Sequence, residues 1–132
     1  MARQKISMPT KEAVIIRYGV KMNGEPHAVE CHYCGRVATA TWHPPHTYPW
    51  RDGETRSRAW VVSRHDFDHV EPLSNGGAND ASNIVLACPW CNVSKSNRTI
   101  PEWLELLADP NRTTLERRLD VLARAYSLLE AA

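Results

Sequence analysis

Two Cys-x-x-Cys pairs constrain this chain more than any other feature. The pairs are Cys31–Cys34 and Cys88–Cys91, and the sequence contains no other cysteine. The spacing lets the two sulfurs of a pair occupy neighbouring corners of a tetrahedron, so two pairs complete a four-thiolate zinc site. A closed site of this kind has no open coordination position. We therefore expect a structural Zn²⁺ whose binding contributes to folding, on the order of 10 kcal/mol as in zinc fingers.

Histidines near the cysteines are the alternative zinc ligands. His32, His43 and His46 lie within or after the first pair. We expect them instead to be solvent-exposed loop residues.

The length and composition predict one small domain outside membranes. A chain of 132 residues has room for one domain, whose core benefits from a metal staple. There is no apolar run near the ~18 residues that a membrane span needs, and the first residues lack the apolar stretch of a secretory signal. We expect a cytoplasmic protein without a membrane partner, in which cysteines bind metal rather than form disulfides.

Charge is divided unevenly along the chain. Residues 1–64 carry ten Lys/Arg and five Asp/Glu, a balance of +5, whereas residues 65–132 carry six and ten, a balance of −4. This asymmetry suits a chain that meets an anion with one part and holds a cation with another.

Apolar patterning and turn signals predict alternating short elements. The predicted order is a helix over 9–17, a strand over 37–42, a proline-rich loop over 43–54, strand segments over 60–62 and 67–70, a loop over 71–83, a return strand over 84–87, a helix over 89–97 and two C-terminal helices. Thr99 and Glu102 form a predicted capping box.

The last helix would align an apolar stripe of Leu115, Leu119, Leu122, Tyr126 and Leu129. We expect the stripe to pack on its own domain, with a homodimer as the alternative to a monomer.

A second group of polar residues accompanies the second cysteine pair. Asp68 and His69 are neighbours on a predicted strand, so their side chains should point to opposite faces. Asn92 and Lys95 lie on roughly one face of the following helix. If the strand and the helix pack together, the side chains of Asp68 and Asn92 approach each other, one from each element. Carboxylate and amide oxygens are hard ligands that favour Mg²⁺ or Mn²⁺.

These residues resemble a known motif. The series Asp68-His69-x-x-Pro72, Gly76-Gly77, Asn83-Ile84 and Cys88-x-x-Cys91-Asn92-x-x-Lys95 is similar to the HNH endonucleases, in particular to the zinc-stapled branch common among phage and restriction nucleases. The resemblance covers about residues 28–98. It implies an α+β fold: a ββα-metal core with a structural four-cysteine zinc site and flanking N- and C-terminal helices.

The resemblance assigns roles residue by residue. His69 matches the general base, Asp68 a ligand of the catalytic divalent ion, and Asn83 the residue that holds the loop between the strands. The family more often has His where this chain has Asn92, and the resulting His-Asn-Asn variant should favour Mg²⁺ or Mn²⁺ over softer ions. Lys95 is either a phosphate contact, a structural contact or a solvated helix lysine. The implied activity is DNA hydrolysis that leaves 5′-phosphate and 3′-hydroxyl ends.

Arginines before the motif are candidate DNA contacts. Arg51, Arg56, Arg58 and Arg64 are interleaved with Trp50 and Trp60, a mixture that suits phosphate contacts and packing on bases or sugars. We expect Trp60 to be a core residue and the arginines to bind the DNA backbone.

The expected organisation is an N-terminal helix and lead-in over 1–27, a nuclease domain over 28–98, and a C-terminal helical extension over 99–132 that packs on the same domain. The expected activity is nicking, in the host cytoplasm if the gene is phage-borne. Two alternatives are a zinc-stabilised nucleic-acid-binding module without catalysis and an accessory component of a phage packaging machine.

Overall fold

A computed structural model describes residues 5–18, 26–43, 54–56 and 60–131. Helix α1 spans Met8–Ile16. Ser7 caps its N-terminus by accepting a hydrogen bond from the Thr10 amide. Pro9 lies in the first turn, where the N–H that proline lacks would have no partner within the helix. The helix buries Val14 and Ile15.

The first sheet has four antiparallel strands. They are β1 (His27–Glu30), β2 (Val37–Trp42), β3 (Glu54–Arg56) and β4 (Trp60–Ser63), arranged in the order β1-β2-β4-β3. Its inner face packs with α1 in one apolar cluster, which includes the buried Trp60, as expected.

The second sheet pairs β5 (Asp66–His69) with β6 (Ile84–Ala87) in antiparallel register, with Asp68 opposite Val85. The two predicted strand segments therefore belong to different sheets. Arg64 separates them with φ 65°, a left-handed conformation that turns the chain between β4 and β5. Two short 3₁₀ helices, Leu73–Asn75 and Ala81–Asn83, lie within the predicted loop between β5 and β6.

Helix α2 spans Pro89–Lys95 and packs against β5. The Cys88 sulfur caps its N-terminus by accepting from the Cys91 amide, and Ser96, at φ 50°, ends it. Strands β5 and β6 with α2 make a ββα unit. The α+β class predicted from the sequence is confirmed.

Three further helices complete the chain: α3 (Ile100–Ala108), α4 (Arg118–Ala123) and α5 (Ala125–Ala131). The predicted capping box is present, since Thr99 accepts from the Glu102 amide and Glu102 accepts from the Thr99 amide. Trp103, Val121 and Leu128 from these helices form one buried cluster with the four cysteines.

The predicted C-terminal stripe is wrong. The last helix was expected to include Leu115, but α4 begins at Arg118, and Arg124 separates it from α5. This interruption breaks the single helical phase on which the stripe depended. Three of its members are exposed in the chain, at 65% for Leu119, 76% for Tyr126 and 46% for Leu129. Leu115 and Leu122 pack at the edge of the buried cluster.

Within the described residues, no helix is both long enough and apolar enough to cross a membrane.

Two adjacent leucines test the corrected helix phase. Leu128 is 4% exposed and Leu129 is 46% exposed. We expect Leu128→Ala to lower the free energy of unfolding by about 2 kcal/mol or more, because it leaves a cavity beside the cysteines. Leu129→Ala should change it by about 0.5 kcal/mol or less. Chemical denaturation of both variants measures the difference, and equal costs would contradict the phase described here.

Candidate active site

The four cysteines form one buried cluster. Their sulfurs all lie within 4.8 Å of one another, and each cysteine is buried. Cys31 and Cys34 occupy the turn that follows β1, while Cys88 and Cys91 occupy the start of α2. The Cys34 and Cys88 sulfurs are 3.8 Å apart. Sulfurs at about 2.3 Å from a central zinc in a tetrahedron are separated by about 3.8 Å, so the cluster suggests a structural zinc.

No histidine in the described part of the chain joins this cluster. His32 is half-buried rather than exposed as predicted, and its ring meets that of Tyr33 edge-on at a centroid distance of 5.2 Å. Burial lowers the pKa of His32, with the positive charges of Arg124 and Arg17 acting in the same direction. His43 is also half-buried, and His46 lies outside the described residues.

Asp68 is the central buried carboxylate. It is 5% exposed and lies on β5. Its Oδ2 accepts a hydrogen bond of 2.5 Å from the Tyr33 hydroxyl and lies 3.2 Å from the Lys95 ammonium. Burial raises the pKa of Tyr33 far above its usual range, and the Asp68 charge adds to this effect. Tyr33 therefore stays protonated and acts as the donor to Asp68.

His69, the next residue on β5, makes its contact on the other side of the strand. Its Nε2 is 2.7 Å from Oδ1 of Asn79. The Asn79 side chain is oriented by its own Nδ2, which donates to the Lys5 carbonyl at 3.1 Å. An amide oxygen only accepts, so His69 carries its proton on Nε2 and leaves the Nδ1 lone pair free when the ring is neutral.

Asn83 ties together the two ends of the loop between β5 and β6. Its Oδ1 accepts from the Glu71 amide at 2.8 Å, and its Nδ2 donates to the carbonyls of Glu71 at 2.9 Å and Ala78 at 2.8 Å. Gly77 lies against this clamp, where an added Cβ would be 1.9 Å from the Glu71 carbonyl oxygen. The glycine is therefore required by close backbone approach.

Lys95 is completely buried, so the interpretation of this residue as a solvated helix lysine is excluded. Its ammonium donates to the His69 carbonyl at 2.9 Å and pairs with Asp68. Because these contacts lie in the interior, the structure favours the structural contact over the phosphate contact that the sequence left open.

Asn92 lies one residue after Cys91 on α2 and is half-buried. Its backbone is engaged within the helix, donating to the Cys88 carbonyl and accepting from Ser96. Among the described residues, no hydrogen bond occupies its side-chain amide. Asn92 thus lies on a helix that packs against the strand of Asp68, and its amide oxygen is a donor of the kind that hard divalent ions take.

The candidate DNA-binding arginines are only partly described. Arg64 is exposed in the turn between β4 and β5, shortly before Asp68 in sequence. Arg51 and Arg58 lie outside the described residues, as does Trp50, and Arg56 belongs to β3 by its backbone.

Two contact residues were missed by sequence reasoning. Tyr33 lies between the cysteines of the first pair, and Asn79 lies in the loop between β5 and β6. Neither belongs to the series of residues that resembles the HNH endonucleases, and Tyr33 is 35 residues away from Asp68 in sequence. The one available signal for Asn79 was its position in the predicted loop over 71–83, directly after the strand of Asp68 and His69.

Comparison with known proteins agrees with the geometry. The family model for HNH endonucleases matches residues 31–98, a span that includes both cysteine pairs, Asp68, His69 and Asn92. Neither the curated proteins nor the solved structures contain a match. Because the matched span covers more than half of the chain, this protein belongs to the HNH endonuclease family.

Proposed function

We propose that this protein is a metal-dependent endonuclease that hydrolyses phosphodiester bonds in DNA and nicks one strand at each site. The observation that carries the proposal is the arrangement on β5. Asp68 is held against α2, the helix of Asn92, while the adjacent His69 is fixed by Asn79 with Nδ1 unprotonated. A carboxylate and a base on successive residues of one strand can take separate roles in one reaction, one holding an ion and the other taking a proton.

His69 is the proposed general base. Its Nδ1 takes a proton from a water molecule as the water attacks phosphorus, and the Nε2–H bond to Asn79 stabilises the ring as it becomes positively charged. The water enters opposite the 3′ oxygen, whose bond to phosphorus breaks and which takes up a proton from solvent. The products are a 5′-phosphate and a 3′-hydroxyl.

Asp68 and Asn92 are the proposed ligands of the catalytic ion. Their oxygen donors suit Mg²⁺ or Mn²⁺ better than zinc, which the four cysteines would hold. When bound, the divalent ion neutralises negative charge on the phosphate and the leaving oxygen. Asn83 contributes by holding the loop that carries Asn79.

Contacts to DNA outside the reaction centre are assigned to the arginines that precede β5. Arg64 is exposed in the turn that precedes β5, and we extend the role to Arg51, Arg56 and Arg58. Contacts of this kind bind the backbone without reading sequence, and they weaken as salt concentration rises.

Replacement of His69 tests the catalytic proposal. Wild-type protein should convert supercoiled plasmid to open circles with Mg²⁺ or Mn²⁺. His69→Ala should slow this conversion by about 10²–10⁴-fold, because it removes the base. His27→Ala, on β1 in the other sheet, is the matched control and should retain the wild-type rate.

The same assay separates the alternatives. If the plasmid stays intact with wild-type protein in the presence of Mg²⁺ and of Mn²⁺, the nuclease proposal is rejected in favour of a zinc-stabilised binding module. Activity that appears only with a co-purified partner would support an accessory component of a packaging machine.

Replacement of Asn79 tests the orientation of the base. Asn79→Ala should lower the nicking rate on the order of 10²-fold, because the His69 ring loses the acceptor that fixes its position. Affinity for uncleaved DNA, measured with Ca²⁺, should not change. Asn79→Asp keeps an acceptor and should retain more activity than the alanine variant. Equal rates for wild type and Asn79→Ala would remove Asn79 from the mechanism.

A further inference from the structure

Both contacts to Asp68 converge on a single oxygen. The Tyr33 hydroxyl, at 2.5 Å, and the Lys95 ammonium, at 3.2 Å, meet at Oδ2. Of the residues that the structure describes, none donates to Oδ1. The carboxylate is thus held by one oxygen and presents the other.

Tyr33 is fixed from several directions. It is 0% exposed and lies between two zinc-ligand candidates, Cys31 and Cys34. Its ring meets that of Trp103 edge-on at a centroid distance of 5.1 Å, an arrangement that aromatic pairs favour. The hydroxyl therefore has a defined position, set by the turn that carries the first cysteine pair.

Lys95 supplies the compensating charge. A buried carboxylate without a partner would be costly, and the ammonium offsets part of that cost while also donating to the His69 carbonyl. Lys95 thereby ties the side chain of Asp68 to the backbone of His69, the two residues on which the proposed chemistry depends. Tyr33 is neutral, so its hydrogen bond orients the Asp68 carboxylate without adding charge to the site.

We propose that Tyr33 is a positioning residue that holds Oδ2 of Asp68, so that Asp68 offers only Oδ1 to the catalytic divalent ion, and that this contact couples the cysteine cluster to the second metal site. The inference rests on the proposed function, because it takes Asp68 as a ligand of that ion. Partners that orient metal ligands commonly change metal affinity by about 10–100-fold when they are removed.

The coupling follows from the position of Tyr33 in the chain. The four sulfurs fix the turn, the turn fixes the phenol, and the phenol fixes the carboxylate. Zinc occupancy at the cysteines therefore sets the affinity of a site that shares none of its ligands.

The test is Tyr33→Phe in the full chain loaded with zinc. The ring and its packing on Trp103 remain, and only the hydroxyl is lost. We expect Mn²⁺ affinity, measured by calorimetry without DNA, to fall by about 10–100-fold, with zinc content unchanged. Tyr18→Phe is the matched control. It removes a phenol hydroxyl that accepts from the Leu86 amide at 3.0 Å, and Mn²⁺ affinity should stay at the wild-type value.

A second measurement on wild-type protein does not depend on the variant folding. With ¹³C at the tyrosine Cζ atoms, addition of Mg²⁺ should shift the Tyr33 resonance and leave that of Tyr18 in place. The shift should follow the same saturation curve as the calorimetry. An unchanged Tyr33 resonance at saturating Mg²⁺ would overturn the inference.

The outcomes for the inference and for the proposed function are separable. Equal Mn²⁺ affinities for wild type and Tyr33→Phe, with active wild-type protein, would overturn the inference alone. Mn²⁺ binding that depends on Tyr33 in a protein that leaves plasmid intact would overturn the nuclease proposal alone. A wild-type protein that binds no Mn²⁺ would overturn both.

Discussion

Convergence of four sulfurs joins two segments that are distant in sequence. Cys31 and Cys34 belong to the turn after β1, and Cys88 and Cys91 to the start of α2, with 53 residues between the pairs. The intervening chain forms the rest of the first sheet and the β5–β6 pair. A small domain gains little from its core alone, so a metal at this junction would stabilise the fold and also fix the start of α2 against the turn after β1.

The same junction organises the polar site. Tyr33 extends from the first cysteine turn to Asp68, and Lys95 extends from the end of α2 to Asp68 and to the backbone of His69. Asn83 and Asn79 hold the opposite side, the first by closing the loop and the second by accepting from His69. The buried charges are therefore paired, and the proposed base and carboxylate are held by different elements. In this arrangement, the cysteine cluster and the proposed catalytic site depend on one scaffold.

Much of this arrangement could be predicted because its signals are local. The cysteine spacing, the β2 and β6 boundaries and the Thr99–Glu102 capping box depend on residues close in sequence, and they match the structure. The Tyr33–Asp68 bond could not be predicted, because it requires the turn and β5 to meet in space. The prediction of the C-terminal stripe was wrong because the helix is interrupted at Arg124, where the sequence has no proline or glycine to indicate an interruption. Burial of Lys95 was equally hidden, since its partners come from β5.

We propose that two metals occupy separate sites on this scaffold, zinc at the cysteines and a harder ion between Asp68 and Asn92. Anomalous diffraction from crystals grown with Mn²⁺, recorded at the zinc and manganese edges, tests it most directly. The account predicts a zinc peak among the four sulfurs and a manganese peak beside Oδ1 of Asp68 and the side chain of Asn92. A manganese peak elsewhere, or an Asp68 that keeps no contact with Tyr33, would contradict it.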